Sequence, residues 1–216
     1  MKVVVTGSSK GIGKAICEEF LNNGHQVVGI DILEETINHP SYTHFVADVS
    51  CEKLLPNIEN VEILINNAGV QNERDMEVNL MGTIYCTEKY AVDNPMIKSV
   101  VNIASASAHT GAEFPLYSAS KGGVLAYTKN VALRIAKFGA TCNSLSPGGV
   151  ITDINKHIIE NKDLWDLVMA ETLIPKWADC EEIAKWAYFV AVINKSMTAQ
   201  DILIDNGEAA KSNFIW

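Results

Sequence analysis

The first turn of the chain is its most constraining feature. An apolar run, Lys2-Val3-Val4-Val5, leads into Thr6-Gly7-Ser8-Ser9-Lys10-Gly11-Ile12-Gly13. Ile12, Ile16 and Phe20 then recur every fourth residue, a helical period that Asn22-Asn23-Gly24 stops. Glycines allow the backbone a tight turn and a close approach. The helix that follows points unpaired N–H groups and a positive dipole end back at the loop, which suits an anion. A glycine turn alone is weak evidence. The order strand, loop, helix is what gives it weight.

The rest of the chain repeats that alternation. Residues 26–31, 42–46, 61–66, 99–103, 141–146 and 201–205 read as further strands, and 74–92, 117–138 and 180–193 as helices. Strands separated by helices predict an α/β fold: a Rossmann-type doubly wound parallel sheet of about seven strands, helices on both faces and right-handed crossovers. With 216 residues and no evident linker, 1–216 is expected to be a single domain. The stretch from about 152 to 180 departs from the regular pattern. It is rich in Asn, Lys and Asp, holds Trp165 and Trp177, and reads as a lid or small helical excursion.

Composition excludes several classes of function. Lys and Arg total 17 against 26 Asp and Glu, a net charge of −9. Such a chain is poorly suited to a phosphate backbone, so no nucleic-acid partner is expected. The longest apolar runs fall short of a membrane span. Met1-Lys2-Val3 running directly into the glycine loop is unlike a signal peptide, so the expected location is cytoplasmic. The five cysteines are scattered and form no CxxC pair, and the histidines do not cluster with acids or cysteines. Neither a disulfide framework nor a metal site is expected.

Asp31 ends the second strand. In a dinucleotide fold an acid there accepts hydrogen bonds from the adenosine ribose and repels a 2′-phosphate, favouring NAD over NADP. Lys10 pulls the other way, because a base in the loop would pair with a 2′-phosphate. Asp31 weighs more, since the carboxylate must be moved or neutralised before a phosphate fits.

With these residues in view, the chain resembles the short-chain dehydrogenase/reductase family over nearly its whole length. The loop has that family's TGxxxGIG spacing. Asp48-Val49, Asn66-Asn67-Ala68-Gly69, Tyr117-Ser118-Ala119-Ser120-Lys121 and Pro147-Gly148-Gly149-Val150-Ile151-Thr152 follow in the family's order, and Asp205-Asn206-Gly207 resembles its last motif. The resemblance implies an alcohol–carbonyl oxidoreductase using NAD(H). Its cofactor contacts would be Gly7, Ser9, Lys10, Gly11, Ile12, Gly13, Asp31, Asp48, Val49, Asn67, Ala68, Gly69, Tyr117, Lys121, Pro147, Gly148, Val150 and Thr152. Its catalytic group would be Asn79, Ser105, Tyr117 and Lys121. It also implies a small-molecule substrate and a homodimer or homotetramer.

The chemistry suits those residue types. Tyr117 and Lys121 are four apart, so on a helix they share a face. An ammonium beside a phenol favours the phenolate, which lets Tyr117 exchange a proton with a substrate oxygen near neutral pH. In isolation the pair would be an ordinary surface tyrosine and lysine. Its place after a buried strand and after Ser105 argues otherwise. Ser107, two residues on, remains the alternative to Ser105. An asparagine within a helix, Asn79, is unfavourable without a role, and Val78, Leu80 and Met81 around it argue against full exposure. His109 reads as an incidental loop histidine.

Two departures from the family stand out. Asn206-Gly207 replaces paired glycines. The interval from Gly69 to Asn79 is only ten positions, shorter than in relatives, so the substrate cleft is expected to be more open on that side. An NADPH-dependent carbonyl reductase and a non-enzymatic dinucleotide sensor on the same fold are the alternatives. Ala104-Ser105, Ala108-His109-Thr110 and Gln200-Asp201-Ile202 also resemble, in patches, dehydrogenases that aromatise dihydrodiols.

Overall fold

The apolar runs become strands β1 (Lys2–Thr6), β2 (Gln26–Asp31), β3 (Tyr42–Val46), β4 (Ile63–Asn66), β5 (Ser99–Ile103), β6 (Thr141–Pro147) and β7 (Asp201–Ile204). The computed structural model describes residues 1–112 and 114–211, without the side chain of Ile154. All seven strands pair in parallel, in the order β3-β2-β1-β4-β5-β6-β7. Val3, Val4 and Val5 are fully buried. Helices cover both faces of a parallel sheet, which is why its central strands read as unbroken apolar runs.

The helices are α1 (Gly11–Asn22), α2 (Thr83–Thr87), α3 (Ser107–Thr110), α4 (Pro115–Ile135), α5 (Lys156–Ile159), α6 (Lys162–Met169) and α7 (Cys180–Tyr188). Ile16 and Phe20 of α1 and Ala184 and Ala187 of α7 fill one face of the sheet, against Val3, Val5, Ile65 and Val101. Val131 and Ile135 of α4, with Val78, Cys86 and Tyr90, fill the other, against Val4, Leu64 and Val100. Pro115 starts α4 at a position where no N–H is needed. Gly139, at φ 70°, turns the chain out of its last turn toward β6.

The sequence predicts an ordinary helix over 74–92. The structure instead winds Met76–Gly82 and Glu88–Val92 as wider π-turns on either side of α2. Thr83 Oγ1 donates to Asn79 O at 2.8 Å and Thr87 Oγ1 to Thr83 O at 2.7 Å. Such bonds back to the carbonyl four residues earlier bend helices. The wider turns carry Asn79, and such bulges gather at functional sites.

The 152–180 stretch contains α5 and α6. Asn161 caps α6, its side chain accepting the Leu164 N–H. Trp165 and Trp177 pack edge to face at 5.2 Å, and a Cβ on Gly149 would collide with the Trp177 indole. These tryptophans therefore fasten the excursion to the end of β6. Among the described residues no helix is long and apolar enough to cross a membrane.

Candidate active site

The strand order reverses between β1 and β4, opening a crevice at their carboxyl ends, where such sheets bind ligands. Thr6 Oγ1 accepts the N–H groups of Asn67 and Ala68, both at 3.0 Å, and Asn67 Nδ2 donates to Thr6 O and Gly7 O. The glycine loop and the Asn67-Ala68 turn are thus stapled together. Gly7 has φ 68°, and a Cβ on Gly13 would lie 1.9 Å from Gly7 O. The loop has room for no side chain at either position. Tyr42 Oη donates to Ser8 Oγ behind the loop at 3.2 Å.

Gly11, at φ 55°, is different: a Cβ there would meet only Thr152 Cγ2, at 3.7 Å. The gap between the loop and Thr152 is therefore lined by backbone on one side. The first turn of α1 has no side-chain cap and no acid. Its N–H groups remain available to an anion, and these features fit a dinucleotide's pyrophosphate. Lys10 beside them is exposed.

Asp31 is buried, with its Oδ2 accepting Ser9 N–H and its Oδ1 accepting Leu33 N–H, both at 2.9 Å. Ser9 Oγ donates to Glu34 O, and Thr36 Oγ1 to Ser9 O. The carboxylate is held rigidly at the strand end, and each oxygen keeps a lone pair for a ribose hydroxyl. Asp48 is also anchored. Burial would raise its carboxyl, but hydrogen bonds from Ser50 and Arg74 outweigh this and hold it below its usual value. Val49 packs on Gly82, where a Cβ would lie 2.7 Å from Val49 Cγ2. Nothing in the motif reading pointed to Arg74, Ser8, Thr36 or Tyr42. They act by propping the recognised residues, and only the paired strands bring them there.

At the other end of the crevice Lys121 is buried and donates from Nζ to Ile103 O at 2.8 Å. Nζ lies 5.8 Å from the Tyr117 ring centroid, as their shared face on α4 requires. Burial pushes the Lys121 ammonium down to about 8, partly offset by Asp75. Asn79 is 1% exposed. Its Oδ1 accepts Val70 N–H at 2.8 Å, while Nδ2 donates to Val70 O and to Ser120 Oγ. A Cβ on Gly69 would sit 3.3 Å from Asn79 Oδ1 and 3.4 Å from Lys121 Nζ. Gly69, Asn79, Lys121 and Tyr117 therefore converge. Gly69, Gln71, Asn72 and Glu73 are exposed.

Ser105 follows β5, is buried, and accepts Ser107 N–H on Oγ at 3.2 Å. Ser107 lies within α3. Ala106 N–H donates to Pro147 O at 2.8 Å, which joins the serine segment to the end of β6. Gly148 packs on Asp205, where a Cβ would lie 2.8 Å from Asp205 Cβ, and Val150 bridges to Ala178. Thr152 precedes the short 3₁₀ turn Asp153–Asn155 without a side-chain cap bond.

His109 is not incidental. Its Nε2 lies 2.8 Å from Asp201 Oδ2 and 3.3 Å from Ser146 Oγ, which ties the segment after Ser105 to β7. Periodicity could not reveal a pair 92 residues apart.

A family model described as short chain dehydrogenase matches residues 1–163. A 3-oxoacyl-[acyl-carrier-protein] reductase of Chlamydia pneumoniae is 30% identical, over 95% of this chain and 96% of its own. The chain belongs to the short-chain dehydrogenase family. As such it is an NAD(P)-dependent oxidoreductase acting on CH–OH groups. Among solved structures, 4-hydroxyisoleucine dehydrogenase complexed with NADH superposes on this dehydrogenase with a TM-score of 0.88 at 23% identity, covering 98% of this chain and 99% of that one. ElxO with NADP bound gives 0.84 at 24% identity, covering 97% and 99%. Both likenesses concern the fold.

Proposed function

We propose that this dehydrogenase interconverts a small-molecule alcohol and its carbonyl with NAD(H), through Asn79, Ser105, Tyr117 and Lys121. The observation that carries the reading is the buried Lys121 ammonium beside the Tyr117 ring and Gly69. A bound nicotinamide dinucleotide supplies the hydride donor or acceptor. The chain supplies the proton chemistry and the alignment. With its pKa near 8, Lys121 is about nine-tenths charged at pH 7. That charge favours the Tyr117 phenolate, which takes a proton from the substrate hydroxyl in oxidation and returns it to the carbonyl oxygen in reduction. Ser105 Oγ orients the reacting oxygen. Asn79 holds the Val70 backbone and Ser120 and so fixes the wall beside Lys121.

Asp31 supports NAD over NADP. Its carboxylate cannot swing away from a 2′-phosphate without breaking two backbone hydrogen bonds. Lys10, exposed in the loop, favours the second reading, an NADPH-dependent reductase. The family resemblance supports a cytoplasmic homodimer or homotetramer.

Tyr117→Phe should bind NADH as the wild type does and lose most turnover on a panel of alcohols and carbonyls that includes a dihydrodiol acid. Undiminished turnover refutes the tyrosine's role. NADH binding with no turnover by the wild type on any panel member favours a dinucleotide sensor. Tighter binding of NADPH than NADH in a fluorescence titration overturns the cofactor assignment.

A further inference from the structure

The scheme above does not use His109, which stands four residues after Ser105. Its Nε2 lies 2.8 Å from Asp201 Oδ2 and 3.3 Å from Ser146 Oγ. Asp201 opens β7, where it pairs with Ser144 of β6. Its Oδ1 accepts the hydroxyls of Ser144 at 2.6 Å and of Ser146 at 2.9 Å. Ser144 and Ser146 are two apart on one strand, so both share the face that this carboxylate meets. Both serines are buried, and the Asp201 side chain is 16% exposed.

The arrangement fixes which atom donates. An ionised carboxylate only accepts, and Ser146 gives its own hydrogen to Asp201 Oδ1. Nε2 therefore faces two acceptors and carries the hydrogen. A bond to an ionised acceptor is stronger than one between neutral groups, and this acceptor is itself anchored to β6.

What the bond holds is a short element. Helix α3 is four residues long, and one turn does not stand alone in water. Ser105 leads into it: Ser105 Oγ accepts the Ser107 N–H at 3.2 Å and Ser105 O the Ala108 N–H at 3.0 Å. Near its start, Ala106 N–H donates to Pro147 O. Near its end, among the described residues, His109 supplies the hydrogen bond to the sheet. Gly111, at φ 65°, then breaks the turn, and Gly111, Ala112 and Phe114 are exposed before α4 begins.

We propose that His109 is a positioning residue that aims Ser105, with Asp201 as its anchor. The imidazole pins α3 to β7, and α3 holds Ser105 Oγ through the Ser107 N–H. The serine hydroxyl thereby keeps its place relative to Tyr117, across an exposed segment that could not fix it. The consequence for turnover rests on the function proposed above. The clamp itself does not.

The test uses the full chain, and backbone NMR relaxation reads the clamp. In His109→Ala the order parameters of Ala108, Thr110 and Gly111 should fall from about 0.85 to below about 0.6. His109→Gln, whose amide Nε2 offers a donor in the imidazole's place, should keep them high. His109→Leu serves if the alanine variant does not fold. In turnover, His109→Ala should lower kcat at least about tenfold with NADH affinity unchanged, and His109→Gln should recover it to within about threefold. On a Ser105→Ala background, His109→Ala should cost less than about twofold more, because a residue that acts through the serine has nothing left to place. A full tenfold loss on that background overturns the positioning role. Unchanged order parameters in His109→Ala overturn the clamp. If the order parameters fall but the wild type turns over no member of the panel, the clamp stands and the proposed function falls.

Discussion

The glycine-loop end of the crevice and the 152–180 excursion are built by different means. At the glycine-loop end, shape is set by backbone. Gly7 and Gly13 leave no space for a Cβ, and Asp31 and Ser9 are tied to main-chain groups. On the 152–180 excursion, side chains set the surface, and several of them are uncovered. Leu167 is 68% exposed, Leu173 60% and Ile174 57%. The excursion is fastened at a few points: Trp177 on Gly149, Val150 to Ala178, and the Leu173 and Ile174 N–H groups on Asn206 O. Asn206, at φ 55°, adopts the left-handed backbone that glycine usually supplies. The glycine-loop end tolerates little change because close backbone approaches and side chains bonded to main-chain groups hold it. The excursion can change its exposed surface without disturbing the sheet.

That contrast can be broken in stages. Gly13→Ala attacks the backbone end, since its methyl would lie 1.9 Å from Gly7 O. It should destabilise by about 3 kcal/mol or more in urea melts, and a change under about 1 kcal/mol would show that the loop yields.

Lys121→Met probes the buried lysine at the other end of the crevice. A lysine at about 8 in the folded state and 10.5 when unfolded is charged at a cost of about 3 kcal/mol at pH 7. The unfolded chain keeps the proton between those values while the folded one releases it. Wild-type stability should therefore rise from pH 8 toward 10.5 relative to Lys121→Met, which should be the more stable protein at pH 7 and inactive. Parallel pH–stability curves for the two would contradict the buried charge.

Asp31→Ser should narrow the preference for NADH over NADPH by about tenfold, or about 1.4 kcal/mol, read by titration. The smallest effect belongs to the excursion. Leu167→Ser should shift stability by no more than about 0.5 kcal/mol, and a larger loss would mean that this surface is covered in solution.

The strand, loop and helix pattern could be read in the sequence because burial on both faces writes itself as apolar runs, and glycine marks a backbone that admits nothing else. Ile12, Ile16 and Phe20 placed α1 to within a residue of its observed start. The Tyr117–Lys121 spacing placed both groups on one face of α4. Local periodicity could not show the π-turns around Asn79, along which threonine hydroxyls bond back to the carbonyls four residues earlier. Nor could it show Arg74 on Asp48 or His109 on Asp201.

By itself the sequence determined what repeats locally: the element order, the glycine turn, and the residue types available for proton transfer. Only the tertiary structure decided which charges are paired, Arg74 with Asp48 and His109 with Asp201. The electrostatic partner of a side chain is whatever the fold sets within a few ångströms of it, and that neighbour carries no mark in the spacing of the chain.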